Sequence, residues 1–275
     1  MNRGFFHSIA LFCLLLLATG CSNFQQLLKS NDVSKKYQAA LEYYEQEEFY
    51  RASQLLDQVT DLMVGTEEAE KAQFYRAKSH YMQGNYILSN AYFRTFYTTY
   101  PRSPFAEEAM FLQAQSLYEQ SPSYQEDQTP TLTAIEAYEE FLVRYPNSER
   151  VERVNIALEE LYTKLDRKDF NQARLYYKLR YWRSAAVALN NFLQEHASSP
   201  YAEEAAFLRL DAQYRYAQES VPDKQEERYD VVLDYFQAFV DTYPESRYKR
   251  DAERIFEGVQ EALGTIRKTA NNQNS

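Results

Sequence analysis

The segment Phe96-Tyr-Thr-Thr-Tyr-Pro-Arg-Ser103 decides the fold, because copies of it recur along the chain. FLVRYPNS at residues 141–148 and FVDTYPES at residues 239–246 keep the Tyr-Pro-x-Ser ending, and a weaker copy, FLQEHASS, occupies residues 192–199. Each copy follows one apolar helical pattern and precedes another. Proline ends a helix, and the serine oxygen can accept N–H bonds at the start of the next one. The chain is therefore predicted to be a row of helix pairs, with the copies spaced about 45 to 51 residues apart.

Residues Glu70–Ser103 match a tetratricopeptide repeat (TPR), a helix pair with a period of about 34 residues. Ala77 occupies the small position of the first helix, Gly84 and Asn85 the turn, and Phe93 the large position of the second helix. We predict an all-α fold, a TPR-like helical-repeat solenoid of about five helix pairs plus a C-terminal capping helix.

The predicted solenoid has two parts and a tail. Repeats one to three are predicted over residues 33–147, repeats four and five with the capping helix over 148–268, and a disordered tail over 269–275. Polar loops at 121–130 and around 222–226 interrupt repeats three and five. The stretch Glu149–Arg180 lacks Gly and Pro, which favours one helix of about 32 residues, ~48 Å long. Its polar section at 164–169 leaves two shorter helices as the alternative.

The first twenty residues are predicted to be a lipoprotein signal peptide. Arg3 precedes an apolar run, Ile9–Ala18, which is too short to cross a bilayer but suits a signal peptide. The run ends in Leu-Ala-Thr-Gly before Cys21, which resembles the lipobox of bacterial lipoproteins and implies acylation of Cys21. Residues 21–32 would then be a short lipidated linker that holds the first repeat close to the membrane. The alternative is a plain secretory signal followed by a chance cysteine.

Composition excludes several classes of function. The net charge of -10 leaves no basic footprint for nucleic acid. Neither His80 nor His196 has a second His or a Cys at ligand spacing, so no metal site is expected and both are interpreted as structural or surface residues. The chain also shows no glycine-rich phosphate loop. We expect no enzymatic activity and no cofactor.

Aromatic residues are unusually frequent, with 25 Tyr and 17 Phe. Most fit the repeat pattern as core residues. Five fall outside the strict pattern and are candidate client-binding residues: Tyr43, Phe49, Tyr50, Tyr75 and Tyr97. On a concave helical surface they could grip an extended client by stacking and hydroxyl hydrogen bonds. The alternative is that they seal contacts between repeats.

The order of these features resembles the BamD family of outer-membrane protein assembly lipoproteins, also called ComL or YfiO. The resemblance rests on the Tyr-Pro-x-Ser junctions, on the related helix starts at 103–109 and 199–205, and on Tyr176-Tyr177-x-x-Arg180. It implies a scaffold that is anchored in the outer membrane and faces the periplasm. It also implies that Tyr176, Tyr177 and Arg180 dock on a barrel partner, and that the N-terminal repeats receive clients. Helical spacing in repeat four predicts that Tyr176 and Tyr177 point inward and that Arg180 lies at the turn.

The partners implied by this resemblance are a BamA-like protein with POTRA domains and a barrel, other Bam lipoproteins and unfolded outer-membrane protein clients. A different hypothesis is a periplasmic TPR adaptor lipoprotein for cell-envelope or peptidoglycan machinery. A third is an accessory of an enzyme or transporter. The split repeats and the long helix in repeat four favour the first hypothesis, because an adaptor array more often keeps uniform spacing.

Overall fold

The computed structural model describes residues 23–273, and every regular element in that range is helical. The predicted all-α class is therefore confirmed. The signal peptide and Cys21 lie outside the described residues. The described chain forms two compact units. The N-terminal unit contains the residues up to Pro122 and Asp127–Leu158, and the C-terminal unit contains Ser123–Glu126 and the residues from Glu159 onward.

The N-terminal unit is built from antiparallel helix pairs. Fully buried aromatic side chains, among them Phe74, Phe93, Tyr138 and Phe141, fill the space between the helices. The helices in chain order are α1 (residues 23–29), α2 (Val33–Glu45), α3 (Phe49–Val59), α4 (Ala69–Met82), α5 (Tyr86–Thr99), α6 (Ala106–Tyr118) and α7 (Thr129–Arg144), and a 3-10 turn, Thr60–Leu62, follows α3.

The C-terminal unit begins inside the long helix α8. Phe170 and Leu189 occupy the centre of its first core cluster and Phe239 lies in the second. The helices are α8 (Val151–Lys178), α9 (Trp182–Glu195), α10 (Ala202–Gln218), α11 (Pro222–Thr242) and α12 (Lys249–Gln273).

The Tyr-Pro-x-Ser junctions share a pair of hydrogen bonds. Each serine oxygen accepts the N–H two residues later, as Ser103 does from Phe105 at 3.0 Å. This turn precedes the helix, so the predicted cap lies slightly before the first helical residue. Each serine also donates to a glutamate in the first helix of the helix pair before it: Ser103 to Glu70 at 2.5 Å, Ser148 to Glu107 at 2.6 Å and Ser246 to Glu203 at 2.6 Å. Each of these junctions thus ties the start of the next helix to the helix pair before it.

An aromatic ring of the preceding repeat is covered at each junction. The residue two positions after the serine lies on it: Phe105 stacks on Phe74 at 4.6 Å, Tyr201 on Phe170 at 5.2 Å and Tyr248 on Phe207 at 4.6 Å, while the Arg150 guanidinium lies 5.6 Å from the Phe111 ring. Offset stacking and cation–π contact both add to simple area burial. The weaker junction at Ser199 keeps the ring contact.

Three tight turns join the two helices of a repeat with the same backbone geometry. Glu47, Gly84 and Arg180 have φ of 61°, 73° and 61°, the left-handed region. In each turn the next N–H reaches back to a carbonyl five residues earlier, as Tyr181 N–H does to Tyr176 O at 2.9 Å. This is the Schellman helix ending, in which glycine is the usual left-handed residue. Two of the three turns therefore hold a non-glycine residue under backbone strain.

Helix boundaries confirm one prediction and correct three others. Val151–Lys178 is one continuous helix through residues 164–169. The predicted loop around 222–226 is wrong, because Pro222 opens α11 at the first helical position, where its missing N–H costs nothing. Helix α12 continues to Gln273, past the predicted start of a disordered tail. The linker predicted over 21–32 contains a helix, α1, whose Phe24 is only 7% exposed.

Candidate functional site

The predicted client-binding aromatics do not form one open surface. Tyr43 packs edge-on against Phe24 with ring centroids 5.7 Å apart. Phe49 and Tyr75 contact the same ring, that of Tyr44, at 5.3 Å and 4.7 Å. Each of these rings is half-buried. They belong to edge-to-face networks between neighbouring helices. This arrangement agrees with the alternative that these residues seal contacts between repeats.

Tyr44 lies at the centre of this network, between Phe49 and Tyr75. It lies beside the Lys78 ammonium, which pairs with Glu108 at 2.7 Å. Burial raises the pKa of Tyr44, and the hydrogen bond to Glu108 raises the pKa of Lys78 despite its own burial. The sequence gives one sign of this ring contact, because Phe49 follows Tyr44 by only five residues.

Tyr50 is the one predicted client residue that is strongly exposed, at 62%. It lines a hollow of about 470 Å³ at the edge of the first two repeats, together with Phe49, Glu47, Glu48, Arg51 and Gln83. The Gln83 amide closes its floor by donating to Phe49 O at 3.1 Å and to Ser53 Oγ at 3.0 Å. The hollow therefore has an aromatic wall and a charged rim.

Tyr97 is buried, with 6% of its surface exposed. Burial raises the pKa of its hydroxyl. Its side chain packs in the core of the N-terminal unit, so its prediction as a surface grip for clients is corrected. It follows Phe96 on α5, and both side chains are buried.

Tyr177 anchors a polar cluster in the C-terminal unit. Its hydroxyl donates to the buried carboxylate of Asp211, which also accepts from Arg215 Nε at 2.6 Å. Burial, followed by the Asp211 contact, raises the pKa of Tyr177 to about 12. The Trp182 ring packs edge-on against Tyr177 at 5.5 Å. Tyr177 thus faces inward as predicted and fixes the end of α8 against α9 and α10.

Tyr176 faces outward, contrary to the predicted inward position. Its side chain is 45% exposed, and Leu175, Leu179 and Val187 beside it are 53%, 53% and 56% exposed. A turn of about 100° per residue places 175, 176 and 179 opposite the buried 170 and 173 and the partly buried 177. Tyr176, Leu175, Leu179 and Val187 form what we call the α8–α9 apolar face, which carries a groove of about 530 Å³. The sequence signal for this second apolar stripe is the spacing of four residues between Leu175 and Leu179.

Arg180 lies at the turn after α8, as predicted, and it is exposed. Its N–H donates to Tyr177 O at 3.0 Å, and its φ of 61° gives the chain a sharp reversal. Among the side chains that the structure describes, the guanidinium has no ion pair. The turn therefore presents one arginine beside the α8–α9 apolar face.

Both histidines contact carboxylates. His80 is buried, and its Nε2 lies 3.1 Å from Asp57, whose pKa is lowered by hydrogen bonds from His80 and Arg76 that outweigh desolvation. His196 Nδ1 lies 2.8 Å from Asp166, and its ring stacks on Phe192, whereas the tyrosines at the other junctions are tilted against the corresponding phenylalanine. Within residues 23–273 no cluster of three or more potential ligands could hold a metal ion.

Known families agree with this architecture. The sequence profile of the YfiO family, described as outer membrane lipoprotein, matches residues 29–187 and 171–267. The chain belongs to this family. The match covers both compact units and all five predicted repeats. None of the helices in the described range has the length and apolarity needed to cross a bilayer.

Two curated relatives have names that indicate a role in outer membrane protein assembly. The outer membrane protein assembly factor BamD of Caulobacter vibrioides is 24% identical over 194 residues, which is 70% of this chain and 60% of that protein. A protein of Aquifex aeolicus, provisionally named as an outer membrane protein assembly factor BamD, is 27% identical over 195 residues, 70% of this chain and 64% of that protein. The chain thus spans less than two thirds of the length of each relative.

Proposed function

We propose that this chain is a lipoprotein of the outer membrane that acts as a scaffold in β-barrel assembly. It would be anchored by acylated Cys21 and face the periplasm. The observation that carries the proposal is the YfiO family match over residues 29–187 and 171–267, together with relatives named as assembly factors. In this role the chain docks on the POTRA domains of a BamA-like protein, and receives and helps insert unfolded outer-membrane proteins without catalysing a reaction.

The anchor is tested by Cys21→Ala. Each buried CH₂ of an acyl chain contributes ~0.8 kcal/mol to membrane binding, so two or three chains hold firmly. We expect the variant to leave the membrane pellet and to keep the circular dichroism of a folded helical protein. Retention in the pellet after a high-salt wash would contradict the lipid anchor.

Docking on the barrel partner is assigned to the turn at Arg180 and to the α8–α9 apolar face with Tyr176. The support is geometric: an exposed arginine without a described ion pair lies next to exposed apolar side chains. Tyr177 contributes by fixing the turn through Asp211 rather than by contact. A planar guanidinium can bind a partner carboxylate through two parallel hydrogen bonds, and apolar neighbours lower the water content around that pair.

Two substitutions separate docking from folding. Arg180→Glu reverses the charge, while Arg180→Gly removes the side chain and suits the left-handed backbone. Losing one member of a buried interfacial charge pair costs ~2–5 kcal/mol, so both variants should recover much less barrel partner in affinity purification from membranes. The melting temperature of Arg180→Gly should stay equal or rise. Arg102→Glu, an exposed change in the N-terminal unit, is the control. Normal partner recovery by both Arg180 variants would remove this docking site.

The same purification distinguishes the adaptor hypothesis. Recovery of a POTRA-containing barrel protein supports barrel assembly, whereas recovery of peptidoglycan factors alone supports an adaptor of the cell envelope.

Client contact is assigned to the hollow with Phe49 and Tyr50. A photo-crosslinking amino acid at Tyr50 should capture unfolded outer-membrane proteins, and the same probe at Gln237 in the C-terminal unit should not.

A further inference from the structure

Helix α1 and the exposed side of α2 form a surface next to the proposed lipid anchor. We propose that this surface, which includes Asn23, Gln26, Lys35 and Gln38, lies in the headgroup layer of the membrane. The first repeat is thereby fixed to the bilayer without a flexible tether. The inference rests on the proposed acylation of Cys21 and adds a second contact with the membrane.

The docking of α1 is the first step of the argument. Phe24 is 7% exposed and packs edge-on against Tyr43. The Arg51 guanidinium lies 5.5 Å from the Phe24 ring and 5.4 Å from the Tyr43 ring, so it covers both. Leu27 and Leu28 pack against the same core cluster. The helix is therefore part of the first repeat and does not behave as a linker.

A buried lysine fixes the other end of α1. Lys36 is 8% exposed, and its Nζ donates to Leu28 O at 3.1 Å and to Gln58 Oε1 at 2.6 Å. A carbonyl near the end of a helix lacks an intrahelical partner, and the ammonium supplies one. Next to it, Asp32 accepts from Lys35 N at 2.9 Å and starts α2. Movement of α1 away from the repeat would break the bond from Lys36 to Leu28 O and the contacts of Phe24 with Tyr43 and Arg51.

Chain length places this helix at the membrane. Only Ser22 separates Cys21 from Asn23, and two residues span at most ~7 Å. With its acyl chains inserted in the hydrocarbon core, Cys21 would lie at the boundary of that core. The polar layer outside that core is ~5–7 Å thick on each side of the bilayer. Asn23 therefore lies inside the polar layer or at its outer edge.

The chemistry of the surface fits this position. All exposed side chains of α1 are polar, namely Asn23, Gln25, Gln26 and Lys29. A groove of about 660 Å³ between α1 and α2 continues the surface with Lys35, Gln38 and Glu42. Amides both donate to and accept from phosphate and ester groups, and lysines attract anionic headgroups. No large apolar side chain is exposed on α1, so contact at the headgroups fits better than insertion.

The test measures how close this surface lies to lipid. Full-length acylated protein carries a fluorophore on Gln26→Cys and is reconstituted in phosphatidylethanolamine–phosphatidylglycerol vesicles that contain headgroup-quencher lipids. The matched control has twelve Gly/Ser residues inserted between Ser22 and Asn23, a linker whose average span is about 19 Å. We expect the wild-type spacing to give at least about twice the quenching of the inserted protein, because the headgroup layer is only ~5–7 Å thick.

A second variant tests rigidity. With the probe on Gln38→Cys in α2, Phe24→Ala should release α1 from the repeat and lower quenching, while the probe at Gln26→Cys should stay quenched. Equal quenching with and without the insertion would overturn the proposal and leave the anchor intact. A protein that does not float with the vesicles would overturn the anchor and this proposal together.

Discussion

Replacing Ser246 by alanine tests whether the junctions hold neighbouring repeats together. The serine oxygen accepts from Tyr248 N at 3.0 Å and its hydroxyl donates to Glu203 at 2.6 Å. The change therefore removes a turn cap at the start of the capping helix α12 and a bond to the repeat before it. Ser199 offers a matched control, since it caps Tyr201 N at 3.3 Å but lacks a described bond to a glutamate.

The two variants should differ in the free energy of unfolding. Loss of a serine cap costs ~1 kcal/mol. A hydrogen bond to a carboxylate contributes about 1.5–3 kcal/mol, and the half-exposed position of Glu203 favours the lower end. We expect Ser246→Ala to cost about 2.5 kcal/mol and Ser199→Ala ~1 kcal/mol or less.

The assay uses the single tryptophan of the chain. Trp182 lies in the C-terminal unit with both serines, so its fluorescence during urea unfolding reports on the unit that is perturbed. In a Glu203→Gln background the difference between the two serine variants should shrink. Equal losses for Ser246→Ala and Ser199→Ala would refute the idea that the bond between repeats contributes to stability.

Three further predictions concern strain, packing and pH. Glu47→Gly should raise the free energy of unfolding by about 0.5–1 kcal/mol because glycine accepts the left-handed φ of 61°, and Gln46→Gly, at φ -83°, should lower it. Replacing a helical glycine by alanine usually raises the free energy of unfolding by about 0.5–1 kcal/mol, but Gly258→Ala should lack this gain because the new Cβ would lie 2.5 Å from the Tyr214 hydroxyl. Adding Tyr214→Phe should recover part of the gain in thermal melts. The pKa of Tyr177 is raised to about 12 from the ordinary tyrosine value of 10, so its protonated hydroxyl stabilises the fold below pH 10. This contribution disappears as the pH rises through 12, and the difference in free energy of unfolding between wild type and Tyr177→Phe should shrink over that range.

The repeat architecture could be predicted from sequence because proline, serine and helical periodicity act locally. The junction serines and the continuous α8 illustrate this, since each depends on a few neighbouring residues. The hydrogen bonds from serine to glutamate were harder to predict, because Glu107 and Ser148 are far apart in sequence and only the packed helices bring them together. The position of these glutamates in the first turn of a helix is favoured by the helix dipole, and this local effect gives no sign of the bond to serine.

The candidate sites were harder to predict because apolar residues on a helix give no sign of what covers them. Tyr97 and Tyr50 have similar sequence surroundings, yet one is buried and the other is 62% exposed. Tyr176 and Tyr177 are adjacent, and the rotation of about 100° between them sends one outward and the other to Asp211. A shift of one residue in an assumed helix face is enough to exchange such roles.

The junctions also bear on how such a chain grows by duplication. Three helix pairs carry a glutamate and an aromatic ring in their first helix, and the junction that follows each pair carries a serine and, two residues later, a ring or an arginine. The two sets are complementary, as Glu203 with Ser246 and Phe207 with Tyr248 show. A copied helix pair that keeps its junction would therefore fit the pairs on both sides without new mutations. The length of the array can change by whole helix pairs, whereas a change within a pair must preserve both sets at once.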